Sequence, residues 1–244
     1  MPKKRLDIMV HEQHPEWSRR QIQEWILSGR VSVDGKIFHK PGQQISSEVQ
    51  QILLQADEPK YVSRAGYKLE KALEHFNICV QGLTVLDAGL STGGFTDCML
   101  QRGAKKIYGI DVGTNQVHQK IRKDPRVIVR ENTNLRYLEG IAESIDVITL
   151  DLSFISVLKV MDVISSLLER GGLLVVLIKP QFESSRECLD KHGIVRDTWV
   201  HNFVVKKVIQ GIVEYGFACH GYIQSPIQGG DGNTEFLACF HKIR

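Results

Sequence analysis

Val85-Leu86-Asp87-Ala88-Gly89-Leu90-Ser91-Thr92-Gly93-Gly94-Phe95 reads as a buried strand, a glycine-rich turn and the start of a helix. Glycine lets backbone approach a ligand closely, and a helix start offers free N–H donors. The strand Lys106 to Asp111 follows, and Asp111 stands 24 positions after Asp87. An acid at the end of a second strand binds ribose hydroxyls in nucleoside-binding doubly wound sheets. Further strands are expected at Val127–Val129, Ile145–Leu150 and Leu173–Ile178. A helix is expected over Arg64–Phe76 and another over Thr198–Tyr215, the latter with Phe203, Val204, Val208 and Ile212 inside. Two last strands, Phe217–Ser225 and Glu235–His241, have no helix between them and should pair antiparallel at one edge. This rhythm predicts an α/β fold: a doubly wound, Rossmann-like parallel sheet with a terminal antiparallel hairpin.

The glycine spacing bears on the ligand. Gly89-x-x-x-Gly93-Gly94 departs from the G-x-G-x-x-G that wraps a dinucleotide pyrophosphate. Asp87 at the mouth of the loop would repel pyrophosphate but suits an ammonium or sulfonium centre. S-adenosylmethionine is therefore favoured over NAD, with a purely structural turn as the other reading. The expected cofactor contacts are Asp87, Gly89, Ser91, Thr92, Gly93, Gly94, Phe95 and Asp111. Asn132, after the third strand, is either an adenine contact or a turn residue.

Working outward, the 244 residues carry a net charge of +3, with 42% hydrophobic and 24% charged residues, which excludes wholesale disorder. No run approaches the ~18 apolar residues of a membrane span, and no apolar signal peptide opens the chain. The five cysteines, at 79, 98, 188, 219 and 239, are scattered, so neither a disulfide framework nor a zinc site is expected. A soluble, cytoplasmic protein without metal is the reading.

Pro59 and its charged neighbours mark a break near 56–62. Residues 1–57 then form a small α+β domain, 58–63 a linker and 64–244 the α/β domain. In the small domain Ser18 is a good N-cap for a helix bearing Ile22, Trp25 and Ile26 on one face, and Gly29 ends it. Val31 to Ile37 is a hairpin turning at Asp34-Gly35. The domain has eight Lys/Arg against seven Asp/Glu, so it is not basic overall. Arg5, Arg19, Arg20, Arg30, Lys36 and Lys40, with Arg64 beyond it, are either a solvated face or a phosphate-contacting patch.

The fourth strand runs into Asp151-Leu152-Ser153-Phe154-Ile155 and the fifth into Lys179-Pro180-Gln181-Phe182-Glu183. Ligands of open α/β sheets bind at the carboxyl ends of the strands, so Asp151 and Lys179 face the crevice of the glycine loop. A lysine directly after an apolar strand is hard to explain as packing.

Together, Arg5-Leu6-Asp7, Ser18-Arg19 through Gly29-Arg30-Val31, Ser63 to Leu69, Asp87 to Cys98, Asp151 to Ser156, Lys179 to Glu183 and Ser225 to Phe236 resemble the TlyA family of rRNA 2′-O-ribose methyltransferases, also called haemolysin A. The resemblance implies an amino-terminal RNA-binding domain of the kind named after ribosomal protein S-four and an FtsJ-type methyltransferase domain using S-adenosylmethionine. It also implies a catalytic Lys-Asp-Lys-Glu tetrad at Lys68, Asp151, Lys179 and Glu235, with Lys179 the base that takes the 2′-hydroxyl proton. The implied partner is ribosomal RNA or a ribosomal subunit, and the implied substrate a cytidine ribose, more of the large subunit. The other readings are a non-catalytic RNA-binding module and a pore former, the latter opposed by the lack of a spanning or long amphipathic helix.

Overall fold

The computed structural model describes residues 3–15, 17–46, 48–49, 51–55 and 59–244. Of the break read at 56–62, residues 56–58 lie outside the described residues. The chain separates into two compact units, Met1–Lys60 and Tyr61–Arg244.

The larger unit holds a seven-stranded sheet. Its strands are β1 (Thr84–Ala88), β2 (Lys106–Ile110), β3 (Val127–Arg130), β4 (Ile145–Leu150), β5 (Leu168–Ile178), β6 (Phe217–Gln224) and β7 (Phe236–Lys242). The spatial order is β3-β2-β1-β4-β5-β7-β6, with the first five parallel and β7 antiparallel to both its neighbours. The order reverses at β1, so the crevice between β1 and β4 is the topological switch point where ligands of such sheets bind. The expected mixed α/β architecture is present, with β6 at the edge and β7 inserted beside β5.

Alternation along the strands sorts side chains onto two faces. Leu86 and Ala88 of β1 and Ile148 and Leu150 of β4 join one core with the helices Met161–Leu167 and Thr198–Glu214. Val85 and Val147 join the other, with the helices Ala65–His75 and Gly94–Gln101. Two sequence expectations change. Phe203 is 54% exposed, and the inner face of its helix is Val200, His201, Val204, Val205, Val208 and Ile212. β5 begins at Leu168, and its register breaks between Leu168 and Leu173, where Gly171 takes φ +85°.

Tyr61 to Ser63, read from the sequence as part of the linker, pack within this larger unit. The Tyr61 ring is buried where Gly66 leaves room for it, its hydroxyl donates to Glu70 Oε1 at 3.0 Å, and Val62 N donates to Asp97 Oδ2 at 2.8 Å.

In the smaller unit, helices Leu6–Gln13 and Arg19–Leu27 pack on short strands through Leu6, Val10, Ile22, Ile26, Val31, Val33, Ile45 and Ile52. Ser18 caps the second helix, with Gln21 completing a reciprocal capping box. The hairpin Val31–Val33/Lys36–Ile37 turns at Asp34 (φ 47°) and Gly35 (φ 78°), the two positive angles a tight hairpin needs.

Candidate active site

The carboxyl ends of β1, β2, β4 and β5 surround the site. A cavity of about 630 Å³ opens there, with Gly89, Ser91, Asp111, Asn134, Leu135, Asp151 and Phe154 among its lining. That volume suits a drug- or nucleoside-sized ligand. Asp111 is locked in its wall: Oδ2 accepts from Ser91 N and Oδ1 from Gly113 N, both at 2.7 Å. Gly89 is obligatory for a steric reason. Its φ is +89°, and a Cβ there would lie 2.3 Å from the Asp151 carbonyl oxygen. The loop after β1 can therefore lie against the end of β4 only as glycine.

Other residues expected to hold a cofactor do not line this cavity. Asp87 is not at the loop mouth but fully buried beneath it, where its carboxylate accepts from Thr96 Oγ1 at 2.6 Å and Thr149 Oγ1 at 2.8 Å. Gly93, at φ +100°, sits against Ile121, and Gly94 against Ser63 and Gly66, so both serve close helix packing. Phe95 is core, and Thr92 carries a backbone acceptor for His118 N. Asn132 occupies an exposed turn at φ 53°; Asn134 is the asparagine facing the cavity.

Burial pushes the Asp87 carboxyl up to about 6, against the lowering pull of the two threonine hydroxyls, with Asp151 adding repulsion. An unfolded aspartate titrates near ~3.9. The folded state thus holds more protons between those values, and the contribution of Asp87 to stability is present below pH ~4 and lost as pH rises through about 6. Melting temperatures of the wild type should fall relative to Asp87→Asn across that window. Parallel profiles would mean that the carboxylate is not strained by burial.

The four residues of the implied tetrad form two buried ion pairs. Lys68 Nζ, on the helix Ala65–His75, donates to Glu235 Oε2 at 2.5 Å. Lys179 Nζ lies 2.7 Å from Asp151 Oδ1 and donates to Ser153 Oγ at 2.9 Å. The antiparallel register pairing Ile178 with Phe236 puts Lys179 opposite Glu235 one step further along, so the two pairs share one end of the sheet. Lys179 Nζ thus bridges the Asp151 carboxylate and the Ser153 hydroxyl.

Sequence reasoning gave no site role to Ser153, Phe154 or Glu183. Phe154 is 90% exposed at φ 64°, an uncommon conformation for a bulky residue, and tilts on Phe182 at the cavity rim. The buried Glu183 carboxylate accepts from Ser156 Oγ at 2.6 Å and Val157 N at 2.7 Å. It ties the loop carrying Asp151 to the segment following Lys179. Burial raises its pKa. The signal was position alone: these residues lie in the stretches that continue β4 and β5.

Among the candidate RNA contacts, Arg5 and Arg19 are brought together. Asp7, fully buried, accepts from Arg5 Nε at 2.9 Å, from Arg19 at 3.0 Å and from Gln23 Nε2 at 2.7 Å. The Arg5 guanidinium, more than any other neighbour, holds the Asp7 carboxyl well below the usual carboxylate range. Arg20 turns toward Glu24, Lys36 lies over the Phe38 ring, and Arg30 and Lys40 are exposed. Arg64 is exposed in the larger unit.

Comparison with known proteins fits both units. The FtsJ-like methyltransferase family matches residues 61–242, and the S4 domain matches residues 4–50. A "16S/23S rRNA (cytidine-2'-O)-methyltransferase TlyA" of Mycobacterium tuberculosis is 39% identical over 222 residues, covering 90% of this chain and 83% of its own. This chain belongs to the TlyA family of FtsJ-like methyltransferases. A "23S rRNA (cytidine-2'-O)-methyltransferase TlyA" of Campylobacter jejuni is 35% identical over 75% of this chain and 71% of its own. A solved structure of a candidate hemolysin from Streptococcus thermophilus has 42% identity and a TM-score of 0.76, covering 100% of this chain and 90% of its own. The second name carried by the family does not come with a membrane-crossing helix: among the described residues no helix is long and apolar enough to span a bilayer.

Proposed function

We propose that the protein transfers a methyl group from S-adenosylmethionine to the 2′-hydroxyl of a cytidine in 23S rRNA. The observation that carries this reading is the pair of buried ion pairs, Lys68–Glu235 and Lys179–Asp151, at the end of the sheet beside the cavity. The two TlyA relatives support the RNA substrate, and 23S rRNA is common to the activities they are named for.

The cavity residues suit the cofactor. The Asp111 carboxylate retains lone pairs for ribose hydroxyls, Leu135 and Ile110 offer apolar wall, and Gly89 leaves the room a Cβ would take. Ser91, Gly89, Asp111 and Asn134 are the residues we assign to it, with Asp87, Gly93, Gly94 and Phe95 shaping the loop from below. When bound, S-adenosylmethionine supplies an electrophilic methyl group.

The chain must orient a ribose hydroxyl and remove its proton. Lys179 Nζ, held at the end of β5 by Asp151 and Ser153, is assigned as the proton acceptor: it first gives one ammonium proton to solvent and then, as the neutral amine, takes the proton that the 2′-hydroxyl loses. The Asp151 carboxylate, 2.7 Å from Lys179 Nζ, holds that nitrogen in place, so that the hydroxyl's one proton is directed to Lys179. The Lys68–Glu235 pair is assigned to orient the reacting groups from the same end of the sheet, and alignment of this kind can carry much of a rate. Phe154 offers the target base an aromatic face. In the smaller unit, the arginines held by Asp7 are assigned to phosphate contacts.

The test is transfer of labelled methyl to 50S and 30S subunits and to their free RNAs, wild type against Asp151→Ala. Label in 23S rRNA that disappears in the variant is expected. Label confined to 16S rRNA would overturn the subunit assignment, and none on any RNA would overturn the substrate.

A further inference from the structure

Helix Thr198–Glu214 carries an unusual outer face. Trp199 is 70% exposed and Phe203 54% exposed, yet their rings stack, with centroids 5.5 Å apart and planes at 10°. Spacing i, i+4 brings them together. With Asn202 and Lys206 they line a shallow groove of about 270 Å³. Lys206 is exposed and makes no hydrogen bond or ion pair among the described residues.

The patch lies at the catalytic end of the sheet. It occupies the first two turns of a helix whose Lys207 donates to the Glu183 carbonyl, in the segment following Lys179. On the inner side of the same turns, His201 packs on Phe236, the neighbour of Glu235. None of these groove residues lines the cavity or belongs to the tetrad.

We propose that Trp199 and Phe203 form a stacking platform for unpaired bases of the RNA substrate, with Lys206 meeting the adjoining phosphate. Parallel exposed rings beside an unpaired ammonium, with no carboxylate lining the groove, match how single strands are held without sequence readout: bases on π-faces, backbone on cations. Two rings bordered by an amide and an ammonium are a poor core for a stable protein interface, which buries ~1,200 Å² or more. The proposal rests on RNA being the substrate, but its surface is separate from the chemistry.

The test uses the full chain and a fluorescein-labelled oligocytidine of a dozen nucleotides. Anisotropy gives Kd, and quenching of indole fluorescence, wild type against Trp199→Phe, reports stacking at this position. The Trp199→Ala/Phe203→Ala variant should bind about 5- to 100-fold more weakly, with Trp199→Phe restoring most of the affinity. Lys206→Ala should lower the slope of log Kd against log salt by about 0.7. Unchanged affinity in the double variant, or a wild type that does not bind the probe, would overturn the platform. So would wild-type self-association abolished by Trp199→Ala, which would make a second copy the occupant. Weakened binding alongside an absence of RNA methylation would keep the platform and reject the proposed reaction instead.

Discussion

Lys179→Ala is expected to lower methyl transfer by about 10²- to 10⁴-fold while leaving S-adenosylmethionine affinity near wild type and lowering the melting temperature, because Asp151 loses its buried partner. The ammonium end of Lys179 is held by Asp151 and Ser153 beside the Phe182 ring, at the tip of a strand whose buried residues make the fold, and Lys179 does not line the cavity that takes the cofactor. Its loss therefore removes a proton acceptor and little packing, but leaves the Asp151 carboxylate without its cation. Lys179→Arg should fail as well, because guanidinium stays protonated and cannot act as a base. Rates from single-turnover assays, paired with calorimetric titration of the cofactor, check this. Substantial turnover in Lys179→Ala would move the base elsewhere, and Lys68 would be the next lysine to test.

The second large effect concerns the Lys68–Glu235 pair, whose side chains are 10% and 3% exposed. Removing one partner leaves an uncompensated buried charge, and such breaks cost about 3–5 kcal/mol. Lys68→Met and Glu235→Leu should each depress the melting temperature by several degrees. The double variant should recover much of that loss, since replacing a whole buried pair with apolar groups is often neutral. Activity should recover in none of the three. A double variant as unstable as the sum of the singles would show that the two side chains are not coupled, and a double variant with restored turnover would reduce the pair to scaffolding.

The parallel sheet was legible because buried parallel strands write themselves as short, mostly apolar stretches: Leu173–Ile178 is wholly so, and Val85–Ala88 and Ile145–Leu150 are so but for Asp87, Asp146 and Thr149. The small unit's cap and hairpin were legible because Ser18 and Asp34-Gly35 act locally. What escaped was set by tertiary contact. Phe203 fits an apolar stripe, yet its helix turns that position outward, because a stripe fixes spacing but not which of two apolar edges meets the sheet. Asp87 carries a charge, so it reads as a ligand group; only the fold shows two threonine hydroxyls enclosing it. Gly93 and Gly94 look like ligand glycines but give up their side chains to neighbouring helix and backbone. The tetrad positions came from motif likeness, and no local pattern could have matched Lys68 with a glutamate 167 positions away. Asp7 was missed for the opposite reason: an acid among arginines looks like surface, whereas here it is the buried post to which two of them are tied.

β7 enters between β5 and β6, running against β5, and it is the element that delivers Glu235 to Lys68. The strand that closes the sheet is thus also the one that closes the acid–base set. During synthesis, a chain that has already laid down β1 to β6 and the glycine loop has every other part of the pocket but no working centre. A proteolytic cut before residue 235 would have the same result, removing a central neighbour of β5 and one tetrad member together. Such a product should be inert rather than partially active, so turnover itself reports that the sheet has been completed.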